Sequence, residues 1–306
     1  MDTPFDILVA GEINPDIILT GDLEPEFGQV EKFVDTATLT IGSSSVIFAC
    51  GAARLGLKVT FIGVCGDDAF GHFMLNEMEK RDIDIRNVIV RKDGQTGLSV
   101  ILNRESDRAI LTHPGLIPAL QASDIPNGLL HQARHLHVSS YFLQTALQPN
   151  LAYLFKRAHG LGLTTSLDTN YDPSKKWIAF NELLSVTNVL LLNEKEAISL
   201  SGEASVDLAA NNLGNKVETL AIKLGEAGAL AVRGGQKVHV SSIPVQVVDT
   251  IGAGDSFDAG FIYGYLHNWE LEKALRLACV CGALSLQKAG GTEGQPTLEE
   301  AMQYVS

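Results

Sequence analysis

"VVDTIGAGDSFDAG", Val247 to Gly260, places three glycines and three aspartates between an apolar run and a helical pattern. Val245 to Val248 read as a strand, and Phe257, Phe261 and Tyr265 recur at i, i+4 and i+8 on the helix that follows. Gly252-Ala253-Gly254 therefore lies at a helix N-terminus. Backbone N–H groups there lack intrahelical partners, and the helix dipole adds partial positive charge. Glycine lets the main chain approach a bulky anion closely. Asp255, at the start of the helix, would stand beside such an anion and accept a proton from an attacking hydroxyl. A carboxylate next to a phosphate needs compensating positive charge, most simply Mg²⁺. On these residues alone two readings stand: an anion site with a base, or a turn in which Asp255 only stabilises the helix N-terminus.

Outward from this junction, strand and helix patterns alternate along the 306 residues. "DILVAG" (6–11), "VTFIGV" (59–64), "HLHVSS" (135–140), "LTTSLD" (163–168), "NVLLLN" (188–193) and "TLAIKL" (219–224) are short apolar or β-branched runs. Amphipathic stretches such as "SVIFACGAARLG" and "NLAYLFKRAHGLG" separate several of them. Near-continuous apolar strands between such helices predict an α/β protein with a mostly parallel central sheet covered on both faces. Residues 12–40 and 93–112 break the rhythm, and the second reads as a hairpin turning at "NRESD". Both are expected to project as a β-flap over a cleft. No repeat, low-complexity segment or linker divides the chain, so a single domain with this lid is expected.

Composition narrows the partners. With 45 % hydrophobic and 19 % charged residues the chain has the balance of a globular protein. The formal net charge of −13 argues against a nucleic-acid partner. No apolar run reaches the roughly 18–20 residues needed to cross a bilayer. "MDTPFDILVAGEINPD" has no basic n-region, so a signal peptide is not expected. Cys50, Cys65, Cys279 and Cys281 form no CxxC pair, and a cytoplasmic location is expected. Cys279 and Cys281 read as small core residues of a helix. A GxxxxGK[ST] P-loop, a GxGxxG turn after the first strand and metal-finger spacing are all absent.

Taken together, the motifs resemble one family. "DTIGAGDSFDAG" looks like the C-terminal signature of the ribokinase (PfkB-type) carbohydrate kinases. "GEINPDIIL", "ACGAARLGLKVTFIGVCGDDAFG", "LLNEKEA", "KLGEAGALA" and "GGTEGQPTLEEA" are similar to further blocks of that family, in the same order and over nearly the whole chain. The resemblance implies a ribokinase-like three-layer sandwich with a small β-lid, and transfer of the ATP γ-phosphate to a sugar hydroxyl. It implies that Asp255 is the base and that Gly252, Ala253 and Gly254 supply the amides of an anion hole. Asn193 and Glu196 would orient Mg²⁺, mainly through water. Lys223, where the family usually has Thr or Ser, would line the ATP site with Gly225 and Gly228, and Ala289 and Gly290 would lie near the adenine. Asp249 and Ile251 fall in the loop where many relatives bind K⁺ through carbonyl oxygens. Flap-to-flap dimers occur in relatives, so a homodimer through the exposed lid strands is expected.

At the sugar end the resemblance points to Asn14 and Asp16, whose i, i+2 spacing puts both on one face of an extended segment. From the residues alone, Asn14-Pro15-Asp16 reads equally as a turn. The family's G-G-x-x-x-N is altered here: Gly42 stays, Ser43 replaces the second glycine, and Ile47 takes the Asn position. Three serines at a helix start can still cap it and donate hydrogen bonds. Asp168, Asn170 and Asp172 alternate after a strand, either near the ligands or in a solvated loop. His135 and His137 read as buried structural histidines. Arg104 and Arg108 of the flap would meet a substrate phosphate or merely solvate the hairpin. The readings carried forward are an ATP-dependent sugar kinase, a nucleoside kinase walled by Ile47, Phe48 and Ile101, a sugar-phosphate kinase, and a catalytically silent binding regulator.

Overall fold

The computed structural model describes residues 3–104, 107–177 and 180–305, and the side chains of Arg104 and Asp107 fall outside that description. In chain order the strands begin with β1 (Ile7–Ala10), β2 (Pro15–Thr20), β3 (Thr36–Ile41), β4 (Val59–Ile62), β5 (Val64–Gly66) and β6 (Ile89–Arg91). They continue with β7 (Leu98–Arg104), β8 (Asp107–His113), β9 (His135–Val138), β10 (Thr164–Asp168) and β11 (Val189–Asn193). Last come β12 (Thr219–Lys223), β13 (Ala229–Arg233) and β14 (Gln236–Val240). The helices are α1 (Ser44–Arg54), α2 (Ala69–Glu79), α3 (Asn127–Leu130), α4 (Leu151–Gly160) and α5 (Asn181–Leu184). They are followed by α6 (Glu194–Ser201), α7 (Val206–Gly214), α8 (Ala253–Leu266), α9 (Leu271–Ser285) and α10 (Leu298–Met302).

Eight strands form the central sheet in the order β14-β13-β12-β11-β10-β9-β1-β4. Six of them run parallel, from β4 to β12, and β13 and β14 add an antiparallel edge. This is the expected mostly parallel sheet, and its two faces build two separate cores. Ile7 and Val9 of β1 pack toward Phe48 of α1 and Phe257 and Phe261 of α8. Leu8 and Ala10, pointing the other way, join Leu154 and Phe155 of α4 and Leu213 of α7. Phe48, Phe61, Phe155 and Phe261 are each under 2 % exposed, and burying one such side chain contributes about 1.5–3 kcal/mol.

β9 is the polar exception in the sheet interior. His135 and His137 are fully buried and linked in a ladder of hydroxyls. His135 bonds Thr164 Oγ1 and Ser166 Oγ, and His137 bonds Ser166 Oγ and Ser139 Oγ, all at 2.7 Å. Burial pushes His137 down to about 3 and His135 well below the usual histidine range, so both rings are neutral. Every ring nitrogen has a partner, which offsets the cost of burying it.

A second sheet, β3-β2-β7-β8, projects from the first and uses residues from the two segments that break the helix–strand rhythm. Its register aligns Asp16 with Ser99 and Ile18 with Ile101, all buried, on the inner face. Residues 105 and 106, in the expected turn of the hairpin, lie outside the described residues. No strand forms at 245–248. The N–H groups of Val248 and Asp249 turn instead to the carbonyl of Leu286 just past α9, at 2.7 and 3.2 Å, and Val247 and Val248 are exposed. The β-branched pattern there has no neighbouring strand to pair with. Among the described residues, no helix is long and apolar enough to cross a membrane.

Candidate active site

α8 starts at Gly252, which caps it with φ 72°, a left-handed conformation that glycine adopts without strain. A Cβ at Gly252 would come within 2.6 Å of the Gly291 carbonyl oxygen, so the loop also needs glycine for space. At Gly254 a Cβ would meet nothing closer than Lys223 Nζ, at 3.5 Å. The loop is tied across its base by Asp249, whose Oδ1 accepts from Ile251 N at 3.0 Å and Oδ2 from Gly290 N at 2.9 Å. The segments around residues 250 and 290 are thereby one unit.

Behind this loop lies a buried group of carboxylates. Asp255 and Asp258 come from adjacent turns of α8, and Asp168 ends β10. One carboxylate oxygen from each lies within 4.8 Å of the other two. Lys223, at the end of β12, is 15 % exposed and bridges two of them, with Nζ 2.8 Å from Asp168 Oδ2 and 3.1 Å from Asp258 Oδ1. Burial works against the lysine's charge, but Asp168 and Asp258 outweigh it and raise its pKa. Asp168 is likewise held below the usual carboxylate range against its own burial, by the lysine charge and by hydrogen bonds. Asp258 moves the other way, well up, through burial. The ammonium thus supplies positive charge to two of the three aspartates.

Asp255 is 7 % exposed. Burial first, and then the charge of Asp168, push its carboxyl up to about 7, while Lys223 and a hydrogen bond from Ser44 pull it down. A carboxyl poised near neutrality beside a helix N-terminus can both take up and release a proton at physiological pH.

Asn193 and Glu196 form the capping box of α6: Glu196 N donates to Asn193 Oδ1 at 2.9 Å and Asn193 N to Glu196 Oε2 at 2.8 Å. Burial and the nearby Asp168 push Glu196 up to about 7. An oxygen-only donor set with an uncomfortable buried carboxylate fits a hard divalent cation, which would favour its ionised form. Asn193 is the register partner of Lys223, so the cap lies beside the aspartate group.

At the foot of the lid, where the sequence places sugar contacts, Asn14 and Asp16 are both buried and share a side, with Asn14 Nδ2 3.2 Å from Asp16 Oδ1. Burial pushes Asp16 up to about 7, opposed chiefly by the Arg108 charge. Gly42 is wedged against them; a Cβ there would lie 2.1 Å from Asp16 Oδ1. Ser43 turns its hydroxyl inward to Glu12, 2.7 Å from the carbonyl oxygen, so its side chain serves the turn. Ile47 packs against Gly252 and Gly291, and Phe48 stacks on His137 with ring centroids 3.6 Å apart. Ile47, Phe48 and Ile101 are all buried.

Gly225 (φ 61°) and Gly228 (φ 94°), expected at the nucleotide, shape the turn after β12, and a Cβ at Gly228 would strike the Val240 carbonyl oxygen at 2.0 Å. Ala289 is exposed beside the tethered Gly290. Lys223 reaches from this turn toward the aspartates. Arg108 extends from the lid to Thr250, Nη1 3.4 Å from Oγ1. The Arg104 side chain lies outside the described residues.

Sequence reasoning singled out Asp168 only as one of an alternating trio and missed Asp258 and Glu12. A signal was present for each: Asp258 follows Asp255 at helical spacing, and Glu12 is a carboxylate between apolar neighbours at the end of a buried strand.

A glycine-capped helix N-terminus with a buried carboxyl in its first turn is the arrangement expected of a phosphotransferase with an alcohol acceptor. The model of the pfkB family carbohydrate kinases matches residues 6–298, and the chain belongs to that family. It is 29 % identical over 304 residues to the ATP-dependent ribose-1-phosphate kinase of Halopiger xanaduensis, covering 98 % of both chains. It is 27 % identical to the ribokinase of Haemophilus influenzae, again over 98 % of each. Its fold matches a putative ribokinase II from E. coli at a TM-score of 0.88 and 24 % identity, covering 98 % of this chain and 99 % of that one. The same E. coli protein, solved with ATP and Mg²⁺, matches at 0.85. The chain is a sugar kinase of the ribokinase-like fold.

Proposed function

We propose that the chain transfers the γ-phosphate of ATP to a hydroxyl of a monosaccharide such as ribose or fructose. The observation that carries this reading is a buried carboxylate, Asp255, immediately behind the Gly252–Gly254 loop at the α8 N-terminus. Asn14, Asp16 and the backbone at Gly42 and Ser43 hold sugar hydroxyls. Asp255 accepts the proton of the attacking hydroxyl, and the amides of Gly252, Ala253 and Gly254 receive the charge of the phosphoryl group in transfer. Gly225, Gly228, Ala289 and Gly290 line the nucleotide, with Lys223 anchoring the floor beneath the loop. Asn193 and Glu196 would hold Mg²⁺ through water, and the ion when bound would supply positive charge to the phosphate oxygens. The carbonyls of Asp249 and Ile251 are the candidate K⁺ ligands, in a loop that the Asp249 carboxylate already fixes.

One observation favours a second reading, a sugar-phosphate kinase. Arg108 lies close enough to Asp16 to oppose the rise of its pKa, which brings a guanidinium near the sugar end. The test is an ADP-release screen across pentoses, hexoses, their phosphates and nucleosides, with Mg²⁺ and with or without K⁺. Saturable turnover of a free sugar supports the first reading. A preference of tenfold or more for a phosphorylated sugar favours the second. Sugar binding in calorimetry with no ADP released from any compound would overturn both in favour of a silent regulator.

The lid supports a homodimer. Cross-strand register puts Leu39, Ile17, Val100 and Leu111 in one row, with Leu19 and Leu102 in the next row of the same outer face. Leu39 and Leu111 are 43 % and 63 % exposed, so a second copy laid on this face would cover apolar surface. Light scattering on Leu111→Glu checks it. The four cysteines are free and buried, which supports a cytoplasmic location.

A further inference from the structure

Glu12, just past β1, is 2 % exposed, and four donor groups converge on its carboxylate. Oε1 accepts from the Ser45 N–H at 3.1 Å and Ser140 Oγ at 3.0 Å, and it lies 3.1 Å from Ser43 Oγ, whose one proton is shared with the Glu12 carbonyl oxygen at 2.7 Å. Oε2 takes Ser45 Oγ at 2.5 Å. The donors belong to two loops far apart in sequence, the start of α1 and the turn after β9. A third loop joins through Asn170, whose Oδ1 accepts from Ser140 N at 2.7 Å.

Two of these turns carry strain. Ser43 and Ser140 have φ of 67° and 51°, a region serine seldom enters, whereas Asn170, at 50°, is of a type that tolerates it. Both serines meet the Glu12 carboxylate. Gly42, next to Ser43, is wedged against Asp16, so the conformation of Ser43 decides where the Gly42 backbone stands relative to that aspartate. The position that carries Asn in G-G-x-x-x-N is Ile47, which packs on Gly252 and Gly291 and offers no polar brace.

We propose that Glu12 is the positioning residue of the sugar pocket: by gathering Ser43, Ser45 and Ser140 it holds the Gly42–Ser45 turn against Asp16. The proposal rests on the sugar-kinase reading for its substrate and on the hydrogen bonds above for its mechanism.

The test compares wild type, Glu12→Gln and Ser43→Gly, with D-ribose and D-fructose as probes at saturating MgATP, and then with MgATP varied. In Glu12→Gln the KM of whichever sugar is turned over should rise about tenfold or more, with kcat and the ATP KM within about threefold. Ser43→Gly takes φ 67° freely, so its melting temperature should hold or rise while its sugar KM rises about three- to tenfold. A brace with no bearing on the sugar predicts the reverse: a lower melting temperature in Glu12→Gln, both KM values unchanged, and Ser43→Gly indistinguishable from wild type. That result would overturn the proposal.

Amide hydrogen exchange without any sugar supplies a readout independent of the substrate. Exchange across residues 42–47 and 139–141 should quicken about tenfold or more in Glu12→Gln; unchanged protection in both segments overturns the proposal. If wild type turns over neither probe, the sugar-kinase reading fails for these sugars, and exchange alone decides on Glu12. Should Glu12→Gln fail to fold, Ser140→Ala removes one donor and leaves the carboxylate, and a sugar KM raised about threefold is the expected result.

Discussion

The two ends of the cleft, proposed above as catalytic and sugar-binding, are built on opposite plans. At the catalytic end, glycines give the backbone its unusual conformation freely, and one lysine neutralises a group of aspartates. Gly252 accepts φ 72° because it has no Cβ, and Lys223 sits 2.8 Å from Asp168 and 3.1 Å from Asp258. At the sugar end the left-handed positions are Ser43, Ser140 and Asn170, held by hydrogen bonds that converge on Glu12 and Asn170. The first plan is local and tolerant of its surroundings. The second depends on partners brought together by the fold, so it is more easily changed, and it is where this chain departs from G-G-x-x-x-N. Variants at the catalytic end should therefore lose chemistry, and variants at the sugar end should lose affinity.

The sharpest break of that division is Asp255→Asn. It should lower kcat by about 10²–10⁴-fold with the sugar KM within about threefold, measured by ADP release. Turnover near wild type would remove Asp255 from the role of base and erase the contrast between the two ends.

Next in size is Lys223→Met, which leaves Asp168 and Asp258 buried without their cation. Removing one member of a buried pair costs about 3–5 kcal/mol, so the urea midpoint should fall clearly. Adding Asp168→Asn should recover part of the loss, because the uncompensated charge is then gone. If the single variant unfolds like wild type, the lysine is not the neutralising centre of this corner.

Gly254→Ala should separate folding from chemistry. A new Cβ there meets its nearest atom, Lys223 Nζ, at 3.5 Å, an ordinary contact, and Gly254 lies in the first turn of α8. Stability should stay within about 0.5 kcal/mol. The methyl group would nevertheless stand where an anion approaches the amides, and kcat should fall about 10- to 100-fold. Gly252→Ala is the control, since its Cβ meets the Gly291 carbonyl oxygen at 2.6 Å and it must lose stability as well.

How much of this was legible in the sequence follows from the same division. The α8 corner could be read because helix periodicity and a glycine loop are neighbours along the chain. The parallel sheet could be read because its strands are short runs of buried apolar residues, and even the histidines of β9 were legible as structural. The link among Asp168, Lys223 and Asp258 was not, since β10, β12 and α8 meet only through the sheet order. Glu12 looked like a stray polar residue, because nothing local says that serines 31, 33 and 128 positions away will close on it. The apolar run at 245–248 misled for a related reason: β-branched residues form a strand only where another strand can pair with them.

The pH dependence joins the two ends. Asp255 and Asp16 are each pushed up to about 7, mainly by burial, one at each end of the cleft. The base must be ionised to accept a proton, so kcat/KM for the sugar should rise with pH and level off above about 7. It should fall about tenfold per unit below that, and more steeply if the sugar also requires ionised Asp16. Stability should run the other way. A carboxyl whose folded pKa lies above its unfolded value of about 3.8 binds its proton more tightly in the native state. Its contribution is full below about pH 4 and is lost as the pH rises through 7. For each group the loss is on the order of a few kcal/mol. Asp255→Asn and Asp16→Asn should each therefore raise the melting temperature at pH 8 and change it little at pH 4. Only the Asp255 variant should also flatten the rise of kcat. If the Asp16 variant flattens kcat instead, the acid–base work lies at the sugar end, and the assignment of chemistry to one end and affinity to the other is reversed.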